Sequence, residues 1–208
     1  MLKLGLTGGL ASGKSFIAAE LERLGCMIIR ADQLGHEALL RTGPAYAATV
    51  GHFGPSILTP AGEIDRRALA HIVFHSPASL AILNSFVHPA VFRREAELIA
   101  QAPPSSIVVV EAAILIESGS FRNMDRIALA LCTPEQQIER ALTRPGAIRE
   151  DVLARLSTQL PLSEKIPYAH FLIDTSGAPA ETLRQTRRLF DTLNKENRSC
   201  DSARSSSP

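Results

Sequence analysis

Gly8-Gly9-Leu10-Ala11-Ser12-Gly13-Lys14-Ser15 decides how this chain is read. The stretch has the form G-x-x-x-x-G-K-[ST], the phosphate-binding P-loop. Leu2 to Thr7 before it is a short apolar run, readable as a buried strand. In Phe16 to Leu24 after it, Ile17, Leu21 and Leu24 share one helical face, and Gly25 supplies a stop. The motif therefore sits at a strand-to-helix turn. Glycines let backbone N–H groups curl around an anion with no Cβ in the way. A helix N-terminus adds unpaired N–H groups and the positive end of a dipole. Lys14 is placed to reach terminal phosphates and the Ser15 hydroxyl to ligate Mg²⁺. The reading is a nucleoside triphosphate site, and what receives the phosphate is the open question.

The bulk properties narrow the answer. A chain of 208 residues suits one α/β domain with room for an inserted subdomain. A net charge of +1 argues against a general nucleic-acid or membrane-surface binder. Cys26, Cys132 and Cys200 form no C-x-x-C pair, and two of them lie in apolar runs as reduced core residues. No apolar run is long enough to span a bilayer, and with a strand expected almost at once from Leu2 no secretory signal is expected. A cytoplasmic address is expected, with no obligate protein partner evident.

Outward from the P-loop helix, Cys26 to Asp32 reads as a second buried strand, neighbour of the P-loop strand, with Asp32 at its C-terminal end. Ligands of open α/β sheets bind at that end, so Asp32 is expected to face the phosphates. Capping the helix from Gln33 onward is the other reading. From Arg41 to Gln101 strands lapse. Asp65 caps a helix through Leu69 and Val73, Ser76-Pro77 opens another, and Phe92, Ala96 and Ile99 mark a third, with His88-Pro89 between two of them. Arg66-Arg67 and Arg93-Arg94 are solvated faces or an anion pocket.

After Pro103-Pro104-Ser105-Ser106, Ile107 to Val110 is a β-branched central strand ending in Glu111, where a Walker-B-type acid lies. Glu117 follows; each acid is either an indirect support for Mg²⁺ or an ordinary cap. Ile127 to Cys132 is the next strand, and Thr133-Pro134-Glu135-Gln136 forms a capping box. Arg140 and Arg144 lie on one face of that helix beside the Pro145-Gly146 break, an arrangement like the lid of a small-molecule kinase. Phe171 to Asp174 is a last strand and Pro179 to Glu196 a closing helix. The expected organisation is an α/β P-loop kinase fold, a parallel sheet flanked by helices. Its nucleotide core spans 1–40 and 105–196, with a lid at about 137–167. A helical acceptor-binding insertion spans 41–104, and a disordered tail 197–208.

The ordered set of motifs resembles the dephospho-coenzyme A kinase family from Leu4 to about Leu193. The likeness rests on Leu6-Thr7-Gly8-Gly9, Ala31-Asp32, Ile64 to Leu69 with Val73-Phe74, and Leu83 leading to His88-Pro89. It continues through Ile114-Leu115 with Glu117, Thr133 to Gln136 with Arg140 and Arg144, then Gln159, Lys165 and Ile173-Asp174 before Gly177. The resemblance implies ATP-dependent phosphorylation of the ribose 3′-hydroxyl of dephospho-coenzyme A, the last step of coenzyme A synthesis, with Mg²⁺. It implies Asp32 as general base and Lys14 and Arg140 as its catalytic companions. Gly8, Gly9, Ala11, Ser12, Gly13, Lys14, Ser15, Phe16 and Arg144 would contact the nucleotide, and Ser15 the metal. Thr7, Asp32 and His88 would contact the acceptor. The chain departs from the family at Arg30, where Asp-Ala-Asp is usual, at Ala11 for a P-loop glycine, and at Glu111-Ala112-Ala113 for Asp-x-Pro. His170 replaces an Asp at a position read as structural. Another nucleotide or small-molecule P-loop kinase stays open, as does a P-loop switch. The switch lacks support, since Asn194-Lys195-Glu196-Asn197 misses the Asp of a guanine-reading motif.

Overall fold

The computed structural model describes residues 1–205, with side chains described through Ser199. In chain order the elements are β1 (Leu2–Thr7), α1 (Lys14–Arg23), β2 (Met27–Arg30), α2 (Ala31–Ala38), α3 (Tyr46–Phe53), α4 (Arg66–Phe74) and α5 (Pro77–Gln101). There follow β3 (Ile107–Glu111), β4 (Arg126–Leu131), α6 (Pro134–Leu142), α7 (Arg149–Ser157), α8 (Leu162–Lys165), β5 (Phe171–Asp174) and α9 (Pro179–Ser205). The five strands form one parallel sheet in the order β2-β3-β1-β4-β5.

Strand periodicity sorts the core onto the two faces of that sheet. Leu4, Leu6, Val109, Ala128 and Ala130 pack with Ile17 and Leu21 of α1 and with Leu189 and Leu193 of α9. Val108, Val110 and Ile127 point the other way, against Leu115 and the α5 residues Leu98 and Ile99. Each fully buried Leu or Ile stabilises by about 1.5–3 kcal/mol. Gly5 lies on that second face because a Cβ there would come within 2.5 Å of Leu115 Cδ2.

Three expectations are corrected. The second strand does not neighbour β1. β3, buried along its whole length, takes the place between them, and the half-buried β2 takes the edge. His88-Pro89 does not separate two helices. α5 runs unbroken for 25 residues with Pro89 inside it, held by packing on α2 and α4. The tail expected from 197 is helical through Ser205, because Asn197 is buried and its Nδ2 donates to Ser105 O at 2.7 Å. That long-range bond overrides the weak helix propensity of the Ser- and Asn-rich sequence. The remainder of the expected tail, 206–208, lies outside the described residues. Local signals hold elsewhere. Asp65 accepts from the N–H groups of Arg67 and Ala68, Ser76 accepts from Ser79, and Thr133 and Gln136 form the reciprocal capping box.

Glu20 joins α1 to α9. Buried on α1, it accepts from Arg23 Nε and Nη2, both at 2.8 Å, and from Arg187 Nε at 2.7 Å. The hydrogen bonds from Arg23 and then Arg187 hold its carboxyl down at about 2 against an ordinary 4.5. A depressed carboxylate stabilises the fold above its unfolded pKa and loses that contribution as pH falls through the folded one. Glu20→Gln is therefore expected to lower Tm at neutral pH by roughly 2–4 °C. Thermal melts of wild type and variant should converge as pH falls from 4.5 toward 2. A gap that stays constant over that range would exclude the ionised pairing as its cause.

Candidate active site at the head of the first helix

The turn between β1 and α1 is an anion cradle made of backbone. Gly13 has φ +88°, and Gly8 has φ +155°. A Cβ on Gly8 would meet Ser12 Oγ at 2.4 Å, and one on Gly9 would meet Gln137 Nε2 at 2.1 Å. Ala11, where the family usually has glycine, takes φ +54°, a left-handed conformation costing an alanine about 1–2 kcal/mol. Among the described residues the N–H groups of Gly13, Lys14 and Ser15 have no hydrogen-bond partner, as expected for the first turn of a helix. The turn is braced from outside. Leu10 N donates to Gln159 Oε1 at 2.9 Å, and Gln137 Nε2 donates to Leu10 O at 2.8 Å. Thr175 Oγ1 lies 2.8 Å from Ser12 O. The Ser12 side chain is fully buried, so this residue faces the cradle through its backbone.

Lys14 lies across the cradle. Its Nζ donates to Gly9 O at 2.8 Å and to Gly8 O at 3.1 Å. Burial lowers its pKa to about 8, opposed by the negative charges of Asp32 and then Glu111. Ser15 Oγ donates to Glu111 Oε1 at 2.7 Å. Glu111 Oε2 is buried with no hydrogen bond, and Arg30 Nε stands 3.8 Å from it. A hydroxyl beside a carboxylate with one free oxygen is a hard-oxygen donor set that fits Mg²⁺, which takes one or two protein ligands and completes its shell with phosphate and water. Glu117, the other acid considered, is elsewhere occupied. It pairs with Lys165 Nζ at 2.8 Å and accepts from Leu160 N at 3.0 Å. Thr7 is buried beneath the loop, its Oγ1 3.5 Å from Ala113 O.

Asp32 does not end a strand. It occupies the first turn of α2, whose N-cap position is Arg30. Among the described residues its carboxylate accepts no hydrogen bond, so the capping reading has no bond to support it. The exposed carboxylate lines a cavity of about 200 Å³ between α2, α5 and the segment after β3. His88 lines the same cavity. Its Nε2 is buried with no partner, its ring packs on Phe92 at 5.6 Å, and burial lowers its pKa. Arg155 of α7 reaches in from the other side. Burial lowers its pKa, the charge of Asp32 opposes that, and its guanidinium lies 5.8 Å from the Phe74 ring. Beside them Arg66 Nη2 contacts His36 Nε2 at 2.6 Å. Arg67 donates to the carbonyl of Gly146, so α4 meets the Pro145-Gly146 break directly.

Arg140 and Arg144 reach the opposite side of the cradle, where they line a pocket with Ala11, Gly13, Lys14 and Phe16. They do not share a helical face. α6 stops at Leu142 with Thr143 as its cap, and Arg144 lies beyond it. Arg140 Nη2 donates to Thr175 O at 2.6 Å. His170 has the structural place expected of it, its Nδ1 accepting from Ile127 N at 3.1 Å.

Sequence reasoning gave no site role to Arg155 and Glu95, and left Glu111 undecided. The signal for Glu111 was an acid closing a β-branched strand. Arg155 and Glu95 are single charges on helices of unknown facing, and only the tertiary arrangement brings them to the cavity that Asp32 lines.

The sheet order, the helix-borne cradle and the arginines around it define a P-loop kinase of the small-molecule class. The Dephospho-CoA kinase family model matches residues 2–181, and the chain belongs to that family. It is 42% identical over 192 residues to dephospho-CoA kinase of Geobacter metallireducens, covering 91% of this chain and 96% of the relative. It is 33% identical over 196 residues to that of Aquifex aeolicus, covering 94% and 100%. A solved Thermus thermophilus structure superposes with a TM-score of 0.77 at 30% identity, covering 92% of this chain and 97% of that one. No helix among the described residues is long and apolar enough to cross a membrane.

Lys165 anchors the segment that carries Gln159 to the sheet. Its side chain is fully buried, paired with Glu117, and donates to Ala113 O at 2.8 Å. Removing one partner of a buried pair typically costs about 3–5 kcal/mol. Lys165→Met is expected to lower Tm by roughly 6 °C or more, and a second change, Glu117→Leu, to restore part of it. A Lys165→Met melt within a degree or so of wild type would show that the pair does not hold the segment.

Proposed function

We propose that this protein transfers the γ-phosphoryl group of ATP to the ribose 3′-hydroxyl of dephospho-coenzyme A, giving coenzyme A and ADP in the last step of coenzyme A synthesis. The observation that carries this reading is Asp32, an unbonded carboxylate lining a cavity, close enough to the P-loop lysine to perturb its pKa. A second small-molecule acceptor has no comparable observation in its favour.

In this reading the hydroxyl oxygen attacks the γ-phosphorus in line, its proton passes to Asp32, and the bond to the β-phosphate oxygen breaks to release ADP. The N–H groups at the start of α1 hold the phosphate oxygens. Lys14 turns from the Gly8 and Gly9 carbonyls to the phosphates, whose charge favours the ammonium form against the effect of burial. Ser15 and Glu111 would hold Mg²⁺, which neutralises charge on the β- and γ-phosphates when bound. Arg140 and Arg144 approach from the nucleotide side and Arg155 from the acceptor side, so positive charge surrounds the transferring group as it loosens. Phe16 and the Gly177 turn flank a pocket beside Arg140 suited to the nucleotide base. Thr7 stiffens the floor, and His88 contacts the acceptor.

Production of ADP should require dephospho-coenzyme A, with mass and phosphorus resonance placing the new phosphate on the 3′-oxygen. ADP formation that ignores the acceptor, or proceeds equally with adenosine or shikimate, would overturn the assignment. Asp32→Asn keeps the shape and removes the proton acceptor. General-base catalysis is worth about 10²–10⁴ in rate, so kcat should fall by that order with ATP affinity and Tm little changed. A variant with near-normal kcat would leave Asp32 without the role of base. Lys14→Ala should lose turnover by orders of magnitude while still melting cooperatively, as checked by single-turnover kinetics and calorimetry.

A further inference from the structure

Two of the polar groups that line the cavity beside Asp32, His88 and Glu95, have no part in the transfer chemistry. α5 presents to this cavity one face, on which His88 and Glu95 stand seven residues apart, two helical turns. His88 Nε2 is buried with no partner. Glu95 is 7% exposed and makes no hydrogen bond or ion pair among the described residues. Burial raises its carboxyl to about 7. The walls around these groups are apolar, Leu39, Leu83, Val87, Val91 and Ile114 among them. An unpaired carboxyl in such a place costs stability, and a leucine at 95 would pack the same helix without that penalty. A ligand with a polar edge and flat apolar faces satisfies both groups and fills the walls. At about 200 Å³ the cavity takes one ring system rather than a whole drug-sized ligand of roughly 300–1,000 Å³.

The acceptor offers one such group. The ribose that carries the reacting 3′-hydroxyl also carries a base at its first carbon, so a hydroxyl held at Asp32 puts that base within one sugar ring of the same wall. We infer that Glu95 reads the adenine edge of the acceptor. The acid hydrogen donates to a ring nitrogen, and the carbonyl oxygen accepts from the neighbouring amino group. His88 Nε2 pairs at a second point on the nucleoside. An ionised carboxylate, which only accepts, matches the ring N–H of hypoxanthine or guanine instead. A neutral acid favours adenine over a purine without the 6-amino group, whose edge leaves the carbonyl oxygen of the acid unpaired. His36, Asp32 and Arg155 also face this cavity, and Asp32 is reserved for the hydroxyl.

The inference rests on the acceptor assignment above, and the experiment separates the two. Wild type, Glu95→Gln and Glu95→Leu are compared with dephospho-coenzyme A and with its analogue whose purine lacks the 6-amino group. Each is measured for kcat and KM, for acceptor binding by calorimetry without nucleotide, and for Tm. Glutamine keeps the donor and acceptor pattern of a neutral acid, so Glu95→Gln should retain the wild-type preference for adenine. Glu95→Leu should raise acceptor KM and Kd by about tenfold or more, collapse the preference, leave kcat within a few-fold, and melt at or above the wild-type temperature. Three results would overturn the inference while leaving the function intact. One is a wild type that takes both bases equally. Another is a Glu95→Leu variant that keeps the preference. The third is a Glu95→Gln variant that fails as badly as the leucine, which marks a need for charge. Failure of wild type to phosphorylate dephospho-coenzyme A at all is different, because it removes the acceptor assignment itself.

Discussion

The site depends on a few backbone N–H groups left without partners at the start of α1. Left to itself, a glycine-rich turn would fold back and pair them, or move too freely to hold them together. The surrounding structure prevents both. Gln159 takes the Leu10 N–H and Gln137 the Leu10 carbonyl, so this residue is fixed on both sides by the region after β4. Thr175, just past β5, holds Ser12 by its carbonyl and at 3.1 Å would contact a Cβ on Gly13. Strands β4 and β5 therefore set the shape of a loop that belongs to β1. Ala11 shows how strongly the turn is imposed. An alanine stays in the left-handed region because its neighbours leave no other path.

Charge is arranged around that turn with equal economy. Lys14 is buried, which lowers its pKa, while Asp32 and Glu111 raise it from two directions. The two acids do different work because their surroundings differ. Glu111 closes a fully buried strand, is bonded to Ser15, and keeps one oxygen free. Asp32 sits exposed in the first turn of α2, where its carboxylate accepts no hydrogen bond and lines the cavity. Arg30 faces Glu111 where the family usually carries an acid, and it is tethered at the same time to Glu22 at 2.7 Å. Its guanidinium is thus shared between a surface partner and Glu111 rather than committed to the latter.

What the sequence disclosed follows the range of the forces involved. The P-loop, the caps at Asp65, Ser76 and Thr133, and the β-branched strand are set by neighbours a few residues apart, and each was legible. The sheet order was not, because it depends on which strand has most apolar surface to hide. Ile107 to Val110 wins the interior place over Met27 to Arg30, and so separates β2 from β1. The end of α9 was missed for the same reason. Composition past Glu196 argues for a free tail, but one amide at Asn197 bonds a loop 92 residues away. For the candidate site, the residues on the loop could be named from the motif. Asp32, His88 and Arg140, which lie on helices, were named from their sequence context and the family resemblance, whereas Arg155 and Glu95 were not, since they gain meaning only from what faces them.

The continuity of α5 through Pro89 shows how the wall of the cavity beside Asp32 is built. A proline inside a helix removes one hydrogen bond and clashes with the carbonyl four residues back, at a cost of about 3 kcal/mol or more. It also disfavours helical geometry at the preceding residue, here His88. Either effect alone argues for a break, and a break would turn the two halves of the helix independently. The fold prevents this by clamping α5 on both sides of the proline. Leu80 and Leu83 pack with Leu69 and Val73 of α4, while Leu98 and Ile99 pack on the sheet beneath β3. Pro89 and Ser85 face solvent, so the unpaired Ser85 carbonyl is left to water and no polar group is stranded inside. With both ends fixed, His88 and Glu95 keep a constant helical spacing on the buried side. The proline falls on the outer side of the same helix, away from the wall that faces Asp32.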